Sequence, residues 1–515
     1  MCILIDRGVR MWKKYLLGID IGTQGTKAAI YSLEGRKVAD AFEASRLISP
    51  AKGVVQQDTD DLYYSVLHTI SEVMSESGIK PSDVLGIGID GQMAGILGID
   101  RDWNAVTYYD SWLDTRCEKY ISIIKAEAED KIISITGCPV TYAHGPKILW
   151  WKHERPEVYN KIDKFVLPSV FVVGRLAGLK AENAFIDYSY LHFSGFGDTK
   201  NLKWSEELLK LFEVDKDKMP DIVEPWKVVG GLLPDAAAKC GLLSGTPIVA
   251  GCGDSAATLL GSGITKPGLL LDVAGTASIF ACCVDKYEPD VNTKTLLYAR
   301  SVIPGLWTPL AYINGGGMCL KWFKDSLTGI GNIPDYGELD KEAEKVVPGS
   351  ESLIFLPHFS GRVCPNNQYI RGAWLGLSWV HNRAHMYRSI MEGIAYEYKY
   401  YLKVIESLLN DTKFSQVYVI GGGSRSRLFN SIKADVLGID YTALHVSDTA
   451  VLGSAVIAGY GVKAFSSLEK TIDKFIGFDT RLEYNPARHE TYKRYADAYE
   501  RLFGTLTPAF KDITG

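Results

Sequence analysis

Among its 515 residues the chain has nine cysteines and nine histidines, and neither set is spaced for a conserved redox or metal motif. There is no C-x-x-C, and the one adjacent pair is Cys282-Cys283. Scattered thiols of this kind suggest reduced cysteines in a cytosol rather than a disulfide framework. The histidines include no H-E-x-x-H or similar ligand spacing, which argues against a built-in zinc site. Basic residues are not in excess either: the net charge is −5 and the pI near 6.1. A protein that binds phosphate backbones would show a basic footprint, so a nucleic-acid partner is not expected. No apolar run approaches a membrane span, and the opening MCILIDRGVRMWKK has too short an apolar patch for a secretory signal. Residues 1–14 read as an N-terminal extension, with Met1 and Met11 both available as starts.

Two nucleotide signatures are missing as well. No G-x-x-x-x-G-K-S/T loop stands in a suitable place. Gly421-Gly422-Gly423 lacks the third glycine of a dinucleotide turn and the acid about twenty residues on.

The length exceeds what one core usually supports, so two or more domains are expected. Residues 15–43 run YLLGID, IGTQGT, KAAIYSL, EGR, KVADAFEA, a period-2 pattern broken by turn residues that predicts a β-meander. A helix is predicted over 58–77, capped by Asp58 or Thr59, then a buried strand, VLGIGID, over 84–90. The stretch PGLLLDVAGTASIFACCVD (267–285) repeats the opening theme, Asp272 preceding Gly275-Thr276 as Asp20 precedes Gly22-Thr23, with one more residue between. Two related halves are therefore expected, dividing near Gly263 into 15–263 and 264–515. VYVIGGGSRSRLFNSIKADVLG (417–438) reads as strand, glycine turn and amphipathic helix. Tyr492, Tyr495 and Tyr499 share one packing face of a terminal helix.

From the residues alone, each candidate site has a plain reading beside a functional one. In GCGDSAATLLG (251–261), Asp254 is either the N-cap of a helix starting at Ser255 or a free carboxylate at the top of a strand. The turn DIGTQGTK is an ordinary hairpin, or a loop whose Gly22 and Gly25 let the backbone approach phosphates while Thr23, Gln24 and Thr26 add donors. Gly421–Gly423 is a strand-to-helix connection, or a flat floor under an adenine ring.

The order and spacing of these motifs resemble the FGGY carbohydrate kinases from about residue 15 to about residue 485. GIDIGTQGTK is similar to that family's first phosphate hairpin and LDVAGTAS to its second. VIGGGSRS is similar to its adenosine loop, GCGDSAA to the segment holding its catalytic base, and GAWLGLSWVHNRAHMYRSIMEG (372–393) to its C-terminal signature. The resemblance implies an α/β fold of two domains, the actin-like ATPase (ribonuclease H-like) architecture shared by sugar kinases, actin and the heat-shock chaperone ATPase. The active site would then lie in the interdomain cleft.

It further implies ATP and Mg²⁺ as cofactors, a small sugar as substrate, and Asp254 as the general base. Asp20 would face the magnesium, usually through water. Gly22, Thr23, Gln24, Thr26 and Lys27 would contact the β- and γ-phosphates, Gly275 and Thr276 would close on them from the other domain, and Gly317, Gly422 and Gly423 would line the nucleotide pocket. Lys27 stands where some relatives have arginine.

On the sugar side the resemblance implies Gln92 and Met93, Trp112 as a wall, Asp114 near the hydroxyls, Tyr142, and Ser255 beside the base. Trp112 also reads as a core aromatic. The motif at 92–94 resembles the xylulokinase type without its histidine, Ala94 standing in that place, and His144 falls where a small residue or proline is usual. A ketopentose such as xylulose is the expected substrate, with glycerol, erythritol, ribulose or another ketose as alternatives. Cys252, two residues from the base, is a candidate for thiol sensitivity. The family's habit of dimerising leads to an expectation of a homodimer. A catalytically silent sugar sensor is the rival from another class; it would be expected to lose at least one of the acids or Gly-Thr turns present here. A chaperone would need a peptide-binding domain and a dehydrogenase an intact dinucleotide fingerprint.

Overall fold

Two seven-stranded mixed sheets organise the chain. The computed structural model describes residues 14–328, 333–445 and 448–514. The expected N-terminal extension lies outside them except for Lys14, which pairs with Asp83 at 3.3 Å.

Strand β1 (Tyr15–Ile21) is buried along almost its whole length, as a strand covered on both faces must be. It forms the expected meander with β2 (Gly25–Ser32) and β3 (Lys37–Ala44). Helix α1 (Thr59–Ser77) starts where Asp58 accepts the Asp60 N–H and stops at Gly78 in the left-handed region. It leads into β4 (Val84–Gly91), parallel to β1. Helix α2 (His144–Glu154) follows. Strands β5 (Val228–Gly231) and β6 (Pro247–Val249) then extend the sheet to the order β5-β6-β4-β1-β2-β3, with the short β7 (Cys252–Gly253) joining the end of β4. Helix α3 (Asp254–Gly261) closes this half.

The second half repeats the scheme. Strand β8 (Leu269–Ala274) pairs antiparallel with β9 (Ser278–Cys282). Next come β10 (Leu297–Arg300), β11 (Trp307–Ile313), helix α4 (Gly316–Leu327) and helix α5 (Arg383–Leu408). After β12 (Gln416–Ile420), helix α6 (Arg427–Leu437) and β13 (Asp440–Leu444) come α7 (Thr449–Gly461), β14 (Phe478–Leu482) and α8 (Pro486–Thr514). The sheet order is β10-β11-β9-β8-β12-β13-β14. In each sheet the founding strand has an antiparallel meander on one side and parallel strands on the other, so the repeated sequence theme is a repeated topology.

Helix α7 belongs to the second half by sequence but packs on the first sheet. A Cβ added at Gly18 of β1 would lie 2.0 Å from the Val451 carbonyl oxygen, and one at Gly88 of β4 would lie 2.1 Å from that of Ser454. The same closeness joins α7 to α3: a Cβ added at Gly261 would lie 1.8 Å from the Thr449 oxygen, and one at Gly453 would lie 2.2 Å from the Ala257 oxygen. In packing, the unit expected over 264–515 therefore sends one helix back across the seam.

Tyr492, Tyr495 and Tyr499 of α8 are buried as expected. Two of them also donate hydrogen bonds inward, Tyr492 to Glu392 (2.9 Å) and Tyr499 to Glu397 (2.7 Å). Burial of Glu397 works against its charge. The Arg362 guanidinium nonetheless holds it well below the carboxylate range, at about 2. Among the described residues, no helix is long and apolar enough to cross a membrane.

Because the seam has room for no side chain, Gly88→Ala is expected to destabilise the protein by roughly 1–3 kcal/mol, the usual penalty of overpacking. A urea midpoint equal to wild type would contradict the seam's tightness.

Candidate active site

Parallel strands bring their C-terminal ends to one edge, where α/β proteins place their sites. Here that edge collects three carboxylates. The register pairs Asp20 with Asp90 across β1 and β4, and Cys252 with Asp90 across β7 and β4, so Asp254 follows immediately beside them. Among the described residues, Oδ1 of Asp20 and Oδ1 of Asp90 are buried with no donor from any third group, and the two carboxyls lie within hydrogen-bond reach of each other. The other oxygen of Asp90 accepts the Ser454 hydroxyl of α7 at 2.5 Å. Burial raises the pKa of both acids, and on Asp90 the charge of Asp20 adds to it. Asp90 escaped the sequence reading because in VLGIGIDG it looks like any strand-end aspartate.

Asp254 is the first residue of α3 and Gly253 is its N-cap, so the cap reading with a helix from Ser255 is corrected by one residue. Among the described residues its Oδ1 accepts only from its neighbour, the Ser255 N–H at 2.5 Å and the Ser255 hydroxyl at 3.1 Å. Burial first, then the negative charge of Asp20, pushes this carboxyl up to about 7. That is the range in which a carboxylate can exchange a proton at neutral pH.

The first hairpin is a tight turn closed by Gly22 N–H to the Gly25 carbonyl (3.0 Å). A Cβ on Gly25 would fall 2.3 Å from the Glu43 oxygen, so glycine is required there. Thr23 and Gln24 lie at the tip, with Gln24 exposed. Lys27 is half exposed, 3.7 Å from Asp448. Thr26 departs from expectation: strand alternation turns it inward, where its hydroxyl meets that of Ser65 at 2.7 Å, and no hydroxyl is left for a phosphate.

Two residues expected at the sugar also support this hairpin. The buried Gln92 amide donates to the Gly22 carbonyl (3.3 Å) and to Gln57 (2.7 Å). Trp112 is not core: it is 38% exposed and donates its indole N–H to the Thr23 hydroxyl at 2.8 Å.

The second hairpin gathers the other glycines. A Cβ on Gly317, at the start of α4, would sit 2.1 Å from the Gly275 oxygen, and Met318 donates to the Thr276 carbonyl at 3.2 Å. Gly423 lies against Ala274, whereas Gly422 faces open space. Gly275, Thr276, Gly317, Gly422 and Gly423 thus surround one corner. Asp272, the sequence twin of Asp20, differs in environment: Lys433 and the Tyr398 hydroxyl (2.8 Å) neutralise it.

On the sugar side, Met93 packs over Gly253, where a Cβ would meet its sulfur at 1.9 Å. The Tyr190 hydroxyl ties the strand ends together, 2.9 Å from the Gly91 oxygen and 3.1 Å from that of Cys252. Asp114 is corrected: it is buried, and Arg116 and the Val55 N–H (2.9 Å) take up its carboxylate. Tyr142 is half-buried, packed beside Cys117 and Glu118 rather than against Asp254. Ser255 gives its hydroxyl to Asp254. Cys252 is 1% exposed and burial pushes its thiol far up, which removes the ground for expecting thiol sensitivity. The other described cysteines are also buried and free.

Both halves of the chain have counterparts among known proteins. Residues 15–261 match the N-terminal domain model of the FGGY family of carbohydrate kinases, and residues 271–462 match its C-terminal domain model. The chain is 27% identical to the xylulose kinase of Bacillus subtilis over 492 residues, 95% of this chain and 97% of that one. It is also 27% identical to the gluconokinase of the same organism over 512 residues, 97% and 95% of the two chains. A crystal structure of xylulose kinase from Rhodospirillum rubrum superposes with a TM-score of 0.89 at 25% identity, covering 97% of this chain and all of the other. The chain belongs to the FGGY family of carbohydrate kinases. It has their two-domain actin-like ATPase fold, and it is an ATP-dependent sugar kinase.

A carboxyl raised to about 7 in the folded state is charged in the unfolded chain over a pH range where the fold keeps it protonated. Folding therefore loses stability from this group as pH rises from about 4 to about 7. Asp254→Asn should remove that loss, stabilising the protein at pH 8 on the order of 4 kcal/mol and hardly at all at pH 4. Thermal midpoints of the two proteins at both pH values test this; a variant less stable at pH 8 would refute the raised pKa.

Proposed function

We propose that this kinase transfers the γ-phosphoryl group of ATP to a hydroxyl of a small neutral sugar, a ketopentose such as xylulose, with Asp254 as general base. The observation that carries the reading is the environment of Asp254: beside Asp20 at the strand ends, bonded only to Ser255, and pushed up to about 7. As the sugar oxygen bonds to the γ-phosphorus and the bond to the bridging oxygen of ADP breaks, Asp254 takes the hydroxyl proton. Phosphoryl transfer asks for little else from a protein beyond positioning and charge stabilisation.

Gly22, Thr23 and Gln24, with Lys27 beside them, would meet the β- and γ-phosphates. Gly275 and Thr276 would meet them from the other half, and Gly317, Gly422 and Gly423 would line the nucleotide. The buried Asp20 carboxyl, which among the described residues has no donor besides the Asp90 carboxyl, suits a carboxylate that faces a hydrated magnesium ion. When bound, magnesium would neutralise phosphate charge. Met93 and Trp112 would wall the sugar, and closure of the cleft would keep water from competing as acceptor.

The relatives' names divide between xylulose and gluconate. A neutral sugar is favoured because the two cations under the 112–114 loop are already committed: Arg116 to Asp110 and Asp114, and Lys147 to the Asp114 carbonyl at 2.8 Å. A bound carboxylate would have to displace these partners.

ADP release with Mg·ATP across ketopentoses, their polyols, glycerol, hexuloses and gluconate tests the reading. Turnover on one neutral sugar is expected, and Asp254→Asn should lower kcat roughly 10²–10⁴-fold with ATP affinity little changed. Because the base must be ionised to act, kcat/KM should rise with pH up to about 7 and level off above. Near-normal turnover in the variant would refute the base. Turnover on gluconate alone would refute the neutral sugar, and silence across the panel would favour the sensor reading.

A further inference from the structure

The loop Gln92-Met93-Ala94-Gly95 lies between the first hairpin and Asp254, and each of its ends is fixed. At its start the Gln92 N–H donates to the Ile21 carbonyl at 3.2 Å. At its end Gly95 lies against Tyr109, where a Cβ would come 2.1 Å from the phenolic oxygen. Between them, the Met93 carbonyl accepts a hydrogen bond from His144 Nε2 at 2.7 Å.

His144 opens α2, yet it takes no part in capping that helix: the N-cap is Ala143, which makes no side-chain cap bond. The imidazole reaches instead to a residue 51 positions earlier in the chain. It is 2% exposed and borders an apolar cavity of about 20 Å³ lined also by Ile96, Ile148 and Phe165. Burial pushes its pKa down to about 4, so the ring is neutral at working pH. A neutral imidazole has one N–H, and the Met93 carbonyl assigns it to Nε2. The other side of Met93 presses its thioether on Gly253, next to the base. A continuous set of contacts thus runs from His144 through Met93 to the residue before Asp254.

We propose that His144 is a positioning residue for the acceptor pocket, clamping the Met93 backbone so that its thioether forms a fixed wall beside Asp254 and helps to set which sugar fits. This rests on the reading of Asp254 as base and of residues 92–95 as the sugar loop. It also unites the two sugar-side departures noted in the sequence, since the added histidine holds the very loop in which Ala94 stands.

The test is steady-state kinetics of wild type, His144→Leu, His144→Gln and Met93→Ala, varying sugar and ATP separately. Leucine leaves the Met93 carbonyl without its donor. Sugar KM should then rise roughly 5- to 30-fold, the scale of one lost buried hydrogen bond, while ATP KM stays within about two-fold. Glutamine can present an N–H from nearly the same place and should restore most of the loss. Met93→Ala, which removes the wall without touching α2, should reproduce the rise in sugar KM and keeps the test open if the leucine variant fails to fold. An unchanged sugar KM in His144→Leu or in Met93→Ala would overturn the clamp. So would parallel losses in sugar and ATP KM that glutamine does not rescue. A wild-type enzyme silent on every sugar would overturn the underlying function as well, and is told apart from failure of the clamp by that silence.

Discussion

Everything at the strand ends depends on one backbone contact, the seating of α7 on β1, β4 and α3. Helices normally meet through side chains at separations of about 8–10 Å. Here Gly18, Gly88, Gly261 and Gly453 let main chain approach main chain directly. The close approach brings Ser454 within hydrogen-bond reach of Asp90 and sets Asp448, just before the helix, beside Lys27 and Lys37. A looser seam would admit water among the acids and relieve the desolvation that raises them. It would also weaken the link between the second half of the chain and the acids of the first.

Charge is handled differently in the two halves. In the second half each buried acid has a cation or several donors: Asp272 has Lys433 and Tyr398, Glu397 has Arg362, and Glu392 has Arg388 and Tyr492. These are structural pairs, and breaking one would strand the other member in an apolar setting. In the first half, among the described residues, Asp90 and Asp254 accept from hydroxyl and amide donors, while Asp20 lies against the Asp90 carboxyl and feels the half-exposed Lys27. Such an arrangement lowers stability and is retained where function needs a carboxylate that can bind a cation or take a proton. The duplicated topology thus carries, at matching positions, one acid paired directly with a buried lysine and one that faces other carboxylates.

Much of the site was legible from residues because its demands are local. Gly22 and Gly25 must be small for the turn, Gly275 and Gly317 for the approach of two backbones, and an unshielded aspartate after a strand is visible in GCGDSAA. The errors share a cause. Thr26, Asp114 and Gln92 have suitable donors and acceptors, but the direction of a side chain depends on which strand face or loop partner claims it. Asp90 gave no local signal at all, and His144 only that of an unusual residue for its place. Each gains its meaning from a partner far along the chain, Ser454 in one case and Met93 in the other.

The sequence by itself therefore determined the strands, the turns, the repeated theme and the placing of Asp20 and Asp254 at strand ends, because periodicity and glycine placement act within a few residues. Only the tertiary structure decided which polar groups face the cleft and which are spent on holding it. It also decided how high the acids are raised, and that a helix from the second half roofs the first. Those outcomes depend on burial and on partners hundreds of positions apart, and neither is encoded in any short stretch.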